Sequence, residues 1–274
     1  MTKYVYVITG GLGGMGKATA EIVGKKGTVL LADISEERLI QTKEELNAKG
    51  ITEVYYQTVD ITSKENVAAL AKRASELGTL KGLVHTAGLS PTMADSKRIT
   101  AVNLVGTGIV LEAFLPLATE GTAVVCISSM SGYMAPRQGP YVEVLKQPLA
   151  ENVVETMEQF AQGNSGAAYT LSKLGVQLIV EDQAWVWGER GARITSLSPG
   201  TINTAMGRQE ADKQKEMKLM LDITPLRREG EASEIATAIA FLLSDDASYI
   251  TGIDLRVDGG TVANIEKAKI GVEN

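Results

Sequence analysis

Short apolar runs rich in β-branched residues alternate along this chain with longer stretches of helical pattern. Several of the runs are continuously apolar, which is typical of parallel strands covered on both faces. Because strands that alternate with helices build crossover units, the pattern predicts a doubly wound α/β fold with a parallel sheet. The predicted strands are YVYVIT (4–9), TVLLADI (28–34), VYYQTVD (54–60), GLVHTAG (82–88), GTAVVCISS (121–129), ARITSLSP (192–199) and GIDLRVDGG (252–260).

Two regions interrupt this alternation, but neither looks like a linker, so the sequence predicts one domain over residues 1–274. Residues 133–166 form an insertion whose apolar residues recur at helical spacing, with Pro148 placed to open the helix. These apolar residues are Leu149, Val153, Met157 and Phe160. Residues 205–225 are charged and follow a strand end, which predicts a possible substrate lid.

Charge and cysteine usage exclude several classes of protein. The formal net charge of −6 argues against nucleic acid as a partner. With one His and one Cys, a His/Cys metal cluster cannot be built, and the lone Cys126 suits a reducing compartment. The N-terminal run shows no signal-peptide pattern, and no apolar run reaches membrane-spanning length. The expectation is a soluble cytoplasmic protein without a metal or a membrane partner.

A glycine-rich turn, TGGLGGMG (9–16), follows the first predicted strand and opens a helix. Glycines let the backbone approach a pyrophosphate closely, and the helix N-terminus favours its negative charge. The position of the turn therefore predicts a Rossmann-type dinucleotide site. Tight packing of the helix on the strand is the structural alternative, and it is compatible with cofactor binding.

Asp33 ends the second predicted strand, in LLADIS. A carboxylate there accepts hydrogen bonds from the adenosine ribose hydroxyls of NAD and repels the 2′-phosphate of NADP. The residue predicts NAD as the cofactor. The alternative is that Asp33 only ends the strand ahead of Ser35.

Tyr169 and Lys173 lie four residues apart in AAYTLSKLG (167–175), within a segment of helical pattern. Residues at this spacing share one face of a helix, one turn apart. A neighbouring cation lowers the pKa of a phenol, which would let Tyr169 exchange a proton with a substrate. Taken alone, the pair also fits an ordinary solvated helix face.

Together these motifs resemble the short-chain dehydrogenase/reductase family, from Tyr4 to about Gly260. The family pattern T-G-x-x-x-G-x-G is met by Thr9, Gly10, Gly14 and Gly16, and the pattern Y-x-x-x-K by Tyr169 and Lys173. The serine after the fifth strand is Ser129, the asparagine in the preceding helix is Asn103, the acid beside adenine is Asp60, and the P-G-x-x-x-T segment lies within PGTINTAM (199–206).

The resemblance implies an NAD(H)-dependent oxidoreductase that interconverts a secondary alcohol and a ketone. Tyr169 would transfer the proton, Ser129 would bind the substrate oxygen, Asn103 would hold a relay water, and Lys173 would contact the nicotinamide ribose. The implied catalytic residues are Asn103, Ser129, Tyr169 and Lys173. The implied cofactor-binding residues are Thr9, Gly10, Gly14, Met15, Gly16, Asp33, Ile34, Asp60, Ile61, Ala87, Gly88, Tyr169, Lys173, Pro199, Gly200, Ile202 and Thr204, the last as the carboxamide partner.

The chain departs from the family pattern at two places. The fourth strand usually ends in N-N-A-G, but here it reads HTAG (85–88), so His85 and Thr86 replace the asparagines. His85 is interpreted as a hydrogen-bonded core residue, with an acid–base role as the alternative. Ser129 lies 40 positions before Tyr169, much further than usual, and the nearby Ser131 is an alternative catalytic serine.

The insertion makes the chain resemble the bacterial 3α-hydroxysteroid dehydrogenase/carbonyl reductase subgroup. That resemblance implies a hydroxysteroid or bile-acid-like substrate and a homodimer or homotetramer. The alternatives are a dehydrogenase of small secondary alcohols or polyols, a 3-oxoacyl reductase, or a non-catalytic NAD-binding protein. Residues predicted to line an apolar substrate site, with core packing as the alternative, are Met130, Tyr133, Met134, Met206, Met217, Leu219 and Met220.

Overall fold

Seven parallel strands form the central sheet of the computed structural model, which describes residues 3–204 and 220–272. Their order across the sheet is β3-β2-β1-β4-β5-β6-β9. The strands are β1 (Tyr4–Thr9), β2 (Thr28–Asp33), β3 (Val54–Thr58), β4 (Thr79–His85), β5 (Ala123–Ile127), β6 (Arg193–Pro199) and β9 (Asp254–Val257). Two short strands, β7 (Ile202–Asn203) and β8 (Gly230–Glu231), pair separately. The predicted strands are confirmed, with ends that differ by a few residues.

Helices cover both faces of the sheet, which confirms the doubly wound architecture. They are α1 (Gly14–Val23), α2 (Glu36–Ala48), α3 (Lys64–Leu77), α4 (Ser96–Thr100), α5 (Gly106–Phe114), α6 (Tyr141–Lys146), α7 (Val153–Ala161), α8 (Ser165–Gly188), α9 (Ala232–Leu243) and α10 (Thr261–Val272). A π-helical turn, Ala101–Val105, joins α4 to α5.

Strand β1 shows how one sequence builds two apolar layers. Successive side chains of a strand point to opposite faces of the sheet. Val5 and Val7 accordingly pack into the layer under α3, α5 and α8, whereas Tyr6 and Ile8 pack into the layer under α1, α2 and α9. All four residues are buried, so β1 forms the centre of the core.

The carboxyl ends of the parallel strands meet at one edge of the sheet, and this edge positions the candidate site. Strand β1 lies between β2 and β4, so the direction of the crossovers reverses there. Open α/β sheets bind ligands at such a switch point. Thr9, the last residue of β1, pairs with His85 at the end of β4, and His85 pairs with Cys126 of β5.

The inserted helices pack on α4, α8 and the π-helical turn. The prediction that Pro148 opens a helix is wrong, because α7 begins only at Val153, after Asn152 takes a left-handed conformation with φ of 59°. Pro148 instead lies against α5, where a Cβ on Gly108 would be 2.7 Å from the Pro148 Cγ. Pro148 thus packs in the connection between α6 and α7, and the left-handed Asn152 marks the start of the helix.

Most of the predicted lid, residues 205–219, lies outside the described residues, as do Met206, Met217 and Leu219. The expectation that no apolar run reaches membrane-spanning length is wrong: in the part of the chain that the structure describes, the helical stretch Ser96–Leu117 is long and apolar enough to cross a membrane. However, 67% of its most apolar window is buried within the fold, as in the core helix of a globular protein.

Candidate active site

Helix α8 carries Tyr169 and Lys173 on one face at the carboxyl edge of the sheet. Asn164 caps the helix, and its side chain accepts a hydrogen bond of 2.9 Å from the backbone N–H of Ala167. Lys173 is 7% exposed, and its Nζ donates to the backbone oxygen of Ile127 at the end of β5 over 2.9 Å. The same Nζ lies 5.7 Å from the centroid of the Tyr169 ring. The structure thus holds a buried cation beside a half-buried phenol.

Asn103 lies in the π-helical turn and is 1% exposed. Its Nδ2 donates to the backbone oxygen of Leu89 over 2.9 Å and to Ser172 Oγ over 3.3 Å. Its Oδ1 accepts from the backbone N–H of Leu89 over 2.8 Å. Turns of this kind are rare and often mark functional sites. Asn103 therefore fixes the loop after β4 against the helix that carries Tyr169.

Ser129 follows β5 and accepts two hydrogen bonds of 3.2 Å at its Oγ, from the backbone N–H and the hydroxyl of Ser131. Because both bonds use Ser129 Oγ as the acceptor, its own hydroxyl proton can be donated to a substrate oxygen. The preceding Ser128 is buried and donates from Oγ to the backbone oxygen of Lys173 over 2.8 Å. The bond from Ser128 ties the end of β5 to helix α8.

The glycine-rich turn packs too tightly for side chains. A Cβ on Gly10, whose φ is +72°, would lie 2.5 Å from the backbone nitrogen of Ala87. A Cβ on Gly16 would lie 2.5 Å from the backbone oxygen of Gly10, and one on Gly14 would lie 3.0 Å from Thr204 Cγ2. Helix α1 begins at Gly14, so its N-terminal amides lie at this turn. The turn therefore fits the pyrophosphate of a dinucleotide.

Family models match most of the chain. Residues 4–142 match the model described as "short chain dehydrogenase", and residues 152–262 match the one described as "Enoyl-(Acyl carrier protein) reductase". A relative from Alternaria brassicicola, "Short-chain dehydrogenase/reductase bsc3", is 35% identical, and the match covers 97% of this chain and 98% of the relative. The chain belongs to the short-chain dehydrogenase/reductase family.

Other members of this family that resemble the chain have more specific names. "Levodione reductase" of Leifsonia aquatica is 30% identical over 96% of this chain and 95% of its own. "3-alpha-hydroxysteroid dehydrogenase/carbonyl reductase" of Comamonas testosteroni is 28% identical over 93% and 95%. A solved 3-alpha-hydroxysteroid dehydrogenase from Pseudomonas sp. B-0831, complexed with NADH, superposes with a TM-score of 0.78 at 29% identity, over 97% and 99%. The subgroup resemblance seen in the sequence is thus confirmed.

The two predicted acids, Asp33 at the end of β2 and Asp60 after β3, lie near the carboxyl edge of the sheet in different surroundings. Asp33 accepts hydrogen bonds from the backbone N–H of Ile34 over 2.8 Å and of Leu12 over 3.3 Å, so the end of β2 is tied to the glycine-rich turn. Burial opposes ionisation of Asp60, but hydrogen bonds from Thr62 and the charge of Arg98 outweigh it and lower the pKa of Asp60. Both carboxylates are held in place by neighbouring donors.

The remaining predicted residues divide into those at the sheet edge and one in the core. A Cβ on Gly88 would lie 3.2 Å from Asn103 Oδ1 and 3.5 Å from Lys173 Nζ, so Gly88 leaves room beside the lysine. Ile61 is 7% exposed, and its side chain packs against Gly106, so its part in cofactor binding stays a prediction. Pro199 ends β6, and those that follow β4 or β6 at the edge are Ala87, Gly88, Gly200, Ile202 and Thr204.

Two buried groups at the site are interior residues. His85 is 2% exposed and hydrogen-bonded at both ring nitrogens, which confirms its interpretation as a core residue. Burial and, to a lesser degree, the charge of Lys173 lower the pKa of His85 to about 3. Burial raises the pKa of the Cys126 thiol to about 12. Neither side chain is therefore suited to exchange protons near neutral pH.

The sequence analysis missed Gln177, one helical turn after Lys173 on α8. Gln177 is fully buried; its Nε2 donates to Ser128 Oγ over 3.3 Å and to Ser198 Oγ over 3.2 Å. Its Oε1 accepts from Arg137 in the insertion over 3.2 Å. The i+4 spacing from Lys173 was the available signal, since it places the amide on the same helix face.

Tyr133 is tied to the edge strand of the sheet. Its hydroxyl donates to Asp254 Oδ2 over 2.8 Å, and the guanidinium of Arg256 lies 5.0 Å from the ring centroid. Met130 and Met134 lie in the same 3₁₀ turn, Met130–Met134, and are half-buried. Their predicted part in an apolar substrate wall stays a prediction.

Proposed function

We propose that this protein is an NAD(H)-dependent oxidoreductase that interconverts a secondary alcohol and a ketone. The observation that carries the proposal is the buried Lys173 ammonium, bound to the Ile127 carbonyl and placed over the Tyr169 ring, at the edge that holds the glycine-rich turn. A binding-only protein has no use for a cation and a phenol in this arrangement. For binding NAD alone, the tightly packed glycine-rich turn would be enough.

In the oxidative direction, Tyr169 takes the proton of the substrate hydroxyl while Ser129 donates a hydrogen bond to the same oxygen. Lys173 is a fixed positive charge close to the Tyr169 ring, and such a charge favours the phenolate that accepts the proton. Asn103, held by Leu89 and Ser172, keeps the loop after β4 in place beside Lys173. When bound, the nicotinamide supplies the hydride chemistry that these side chains do not provide.

Asp33 supports NAD rather than NADP, because its carboxylate is held at the end of β2 by two backbone donors. We expect Asp33→Ser to lower the ratio of kcat/KM for NAD over NADP about tenfold or more, since it removes two ribose hydrogen bonds and a repulsive charge. Glu36→Gln, a charge change on the exposed start of α2, is the matched control and leaves the ratio unchanged. An unchanged ratio in Asp33→Ser would refute the assignment.

The proposed substrate is a hydroxysteroid or bile-acid-like alcohol, or the corresponding ketone. The support is the inserted pair of helices and the similarity to two hydroxysteroid dehydrogenases. A second candidate is a small secondary alcohol or polyol, and the similarity to a galactitol 2-dehydrogenase at 30% identity favours it. A polyhydroxylated chain needs several hydrogen-bonding partners, whereas a steroid needs a mostly apolar wall.

The first experiment follows the absorbance of reduced nicotinamide with a panel of hydroxysteroids, bile acids, cyclic ketones and small secondary alcohols, each with NAD and NADP. Turnover of one steroid position supports the leading proposal, and turnover of small alcohols alone supports the second candidate. Tight NAD binding with no turnover of any substrate would overturn both. The Ser129→Ala and Ser131→Ala pair then identifies the serine, because only Ser129 has its hydroxyl proton available in this geometry.

A homodimer or homotetramer in the cytoplasm is part of the same proposal. The resemblance to the family supports the assembly, and the buried Cys126 thiol is compatible with a reducing compartment. Light scattering of the purified protein measures the assembly directly; a monomer at micromolar concentration would contradict it.

A further inference from the structure

The single histidine of the chain, His85, lies between the glycine-rich turn and the start of α5. His85 ends β4, and its neighbours in the sheet are Thr9, which opens the glycine-rich turn, and Cys126, three residues before Ser129. Asparagine is the residue usual at this position in the family. The imidazole places its outer nitrogen one bond further from the backbone than an asparagine amide does, so it spans a wider gap.

The directions of the hydrogen bonds around His85 follow from the side chain of Thr107. The Thr107 hydroxyl donates its one proton to the backbone oxygen of Asn103 over 2.7 Å. Towards His85 Nε2, 3.0 Å away, it can only accept, so Nε2 carries a hydrogen. His85 Nδ1 then accepts from the Thr9 hydroxyl over 2.7 Å. One neutral tautomer satisfies every donor and acceptor in this chain of groups.

The surroundings of the ring disfavour its protonated form. His85, Thr9 and Thr107 are each 2% exposed or less, so an imidazolium would lose nearly all its hydration. The nearest charge that acts on the ring is the cation of Lys173, and the neighbouring Cys126 thiol stays protonated. The ring is therefore a fixed neutral donor and acceptor.

Thr86 strengthens the attachment to the glycine-rich turn. Its Oγ1 donates to the backbone oxygen of Thr9 over 2.8 Å and lies 3.1 Å from that of Gly10. Both residues that replace the usual asparagines thus bind the start of the turn, and His85 also bonds Thr107 at the start of α5. Through His85 and Thr107, the glycine-rich turn is thus connected to the backbone oxygen of Asn103 in the π-helical turn. We call this chain of hydrogen bonds, Thr9–His85–Thr107–Asn103, the bridge.

We propose that His85 is a positioning residue that links Thr9 through Thr107 to the backbone oxygen of Asn103, and so holds the π-helical turn at a fixed distance from the cofactor turn. The inference rests on the proposed function, because it assigns the bridge a part in turnover. His85 itself exchanges no proton with the substrate. Its effect reaches the reaction through the placement of Asn103.

Because the chain has one histidine, ¹⁵N-histidine labelling of the untagged protein gives an assigned pair of ring signals. The neutral Nε2–H tautomer is expected from pH 5.5 to 8, without titration. Thr107→Val, which keeps the shape of the side chain, should move the Nε2 signal, and Thr107→Ser should return it. A ring that titrates in this range, or one protonated at Nδ1, would overturn the proposal.

Kinetics test the positioning role with the substrate found in the panel. Thr107→Val and His85→Asn should each lower kcat about fivefold or more, the loss expected for a broken buried hydrogen bond, while Kd for the cofactor stays nearly constant. The double variant should lose no more than either single one, because both break the same bridge. Thr107→Ser should recover most of the lost kcat.

A Thr107→Val variant with wild-type kcat, or a double variant whose losses multiply, would refute the role of the bridge. So would a parallel loss of cofactor affinity, since it would indicate a general structural defect. A wild type that turns over no substrate would instead count against the proposed function alone. The ring signals and the Thr107 variants would still decide whether the bridge exists.

Discussion

Helix α8 is held by polar groups on one side and by apolar groups on the other. Towards β5 and β6, three buried side chains bind it by directional hydrogen bonds. Ser128, after β5, donates to the backbone oxygen of Lys173, while Lys173 and Gln177 donate to Ile127 of β5 and Ser198 of β6. Towards α6 and α7 of the insertion, it packs on the buried side chains Leu145, Val153, Met157 and Ala161. Arg137, which precedes α6, adds hydrogen bonds to Gln177 and Glu181 at the margin of this apolar side. An aromatic pair, Tyr141 and Phe160, adds an edge-to-face contact at 5.7 Å between ring centroids.

The difference between these two sides is one of tolerance. Buried hydrogen bonds fix distance and angle, and a lost partner leaves a donor or an acceptor unsatisfied. Apolar contact depends mainly on volume and area, so it accepts other side chains of similar size. Changes on the polar side should therefore affect turnover, and changes on the apolar side should affect stability with little effect on chemistry.

The largest expected effect is that of Tyr169→Phe on the polar side. The ring and its packing remain, but the group that exchanges a proton is lost, so we expect kcat to fall by about 10²- to 10⁴-fold. The Kd for the cofactor, measured by its fluorescence, should stay close to the wild-type value. Near wild-type turnover would remove Tyr169 from the mechanism.

Next in size is Met157→Ala on the apolar side. Met157 is 2% exposed, and truncation of a buried methionine costs about 2–5 kcal/mol in the free energy of unfolding. Urea denaturation should show this loss while kcat at 25 °C changes little. Glu155→Ala, on the exposed face of the same helix, is the control and should stay within about 0.5 kcal/mol of the wild type. A large fall in kcat at full stability would show that the insertion takes part in chemistry.

A smaller effect concerns the pH dependence of the free energy of unfolding, to which the buried His85 contributes and the apolar Met157 does not. The pKa of His85 is about 3 in the folded chain and about 6.5 when unfolded, so the unfolded chain binds the extra proton between these values. The free energy of unfolding that this group contributes is complete above pH 6.5 and is lost as the pH falls. Relative to His85→Asn, the wild type should lose about 1.4 kcal/mol between pH 7.5 and 5.5.

Met157→Ala, compared with the wild type over the same pH range, should show no such change, because it removes no titrating group. A difference between wild type and His85→Asn that stays constant with pH would mean that His85 has the same pKa in the folded and the unfolded chain.

The smallest effect is expected at a surface ion pair of the insertion. Lys146 Nζ lies 2.9 Å from Glu143 Oε1, but the Glu143 side chain is 73% exposed. Exposed pairs contribute little, so Glu143→Gln should change the free energy of unfolding by less than about 0.5 kcal/mol. A loss above 1 kcal/mol in thermal or urea denaturation would mean that charge, not apolar contact, holds α6 in place.

What could be predicted from the sequence depends on whether a feature rests on local pattern or on contacts between residues far apart in the chain. The strands and the glycine-rich turn depend on local pattern, so their positions could be inferred within a few residues. The place of Pro148 could not, because it packs against Gly108, forty residues earlier in the chain. The partners of His85 were equally hidden, since Thr9 reaches it only through strand pairing 76 residues apart. The motif roles of Ser129, Tyr169 and Lys173 stay predictions until kinetics test them.

The strand order also has a consequence for how the chain acquires its structure. The first strand made, β1, ends in the middle of the sheet, and its neighbour β4 starts about seventy residues later. The last strand, β9, pairs with β6 and forms one edge of the sheet. Parallel pairing over such separations makes folding slow, because loop closure must precede the contacts that reward it. In a growing chain, β1 therefore stays unpaired on at least one side until β4, about seventy residues later, has been synthesised.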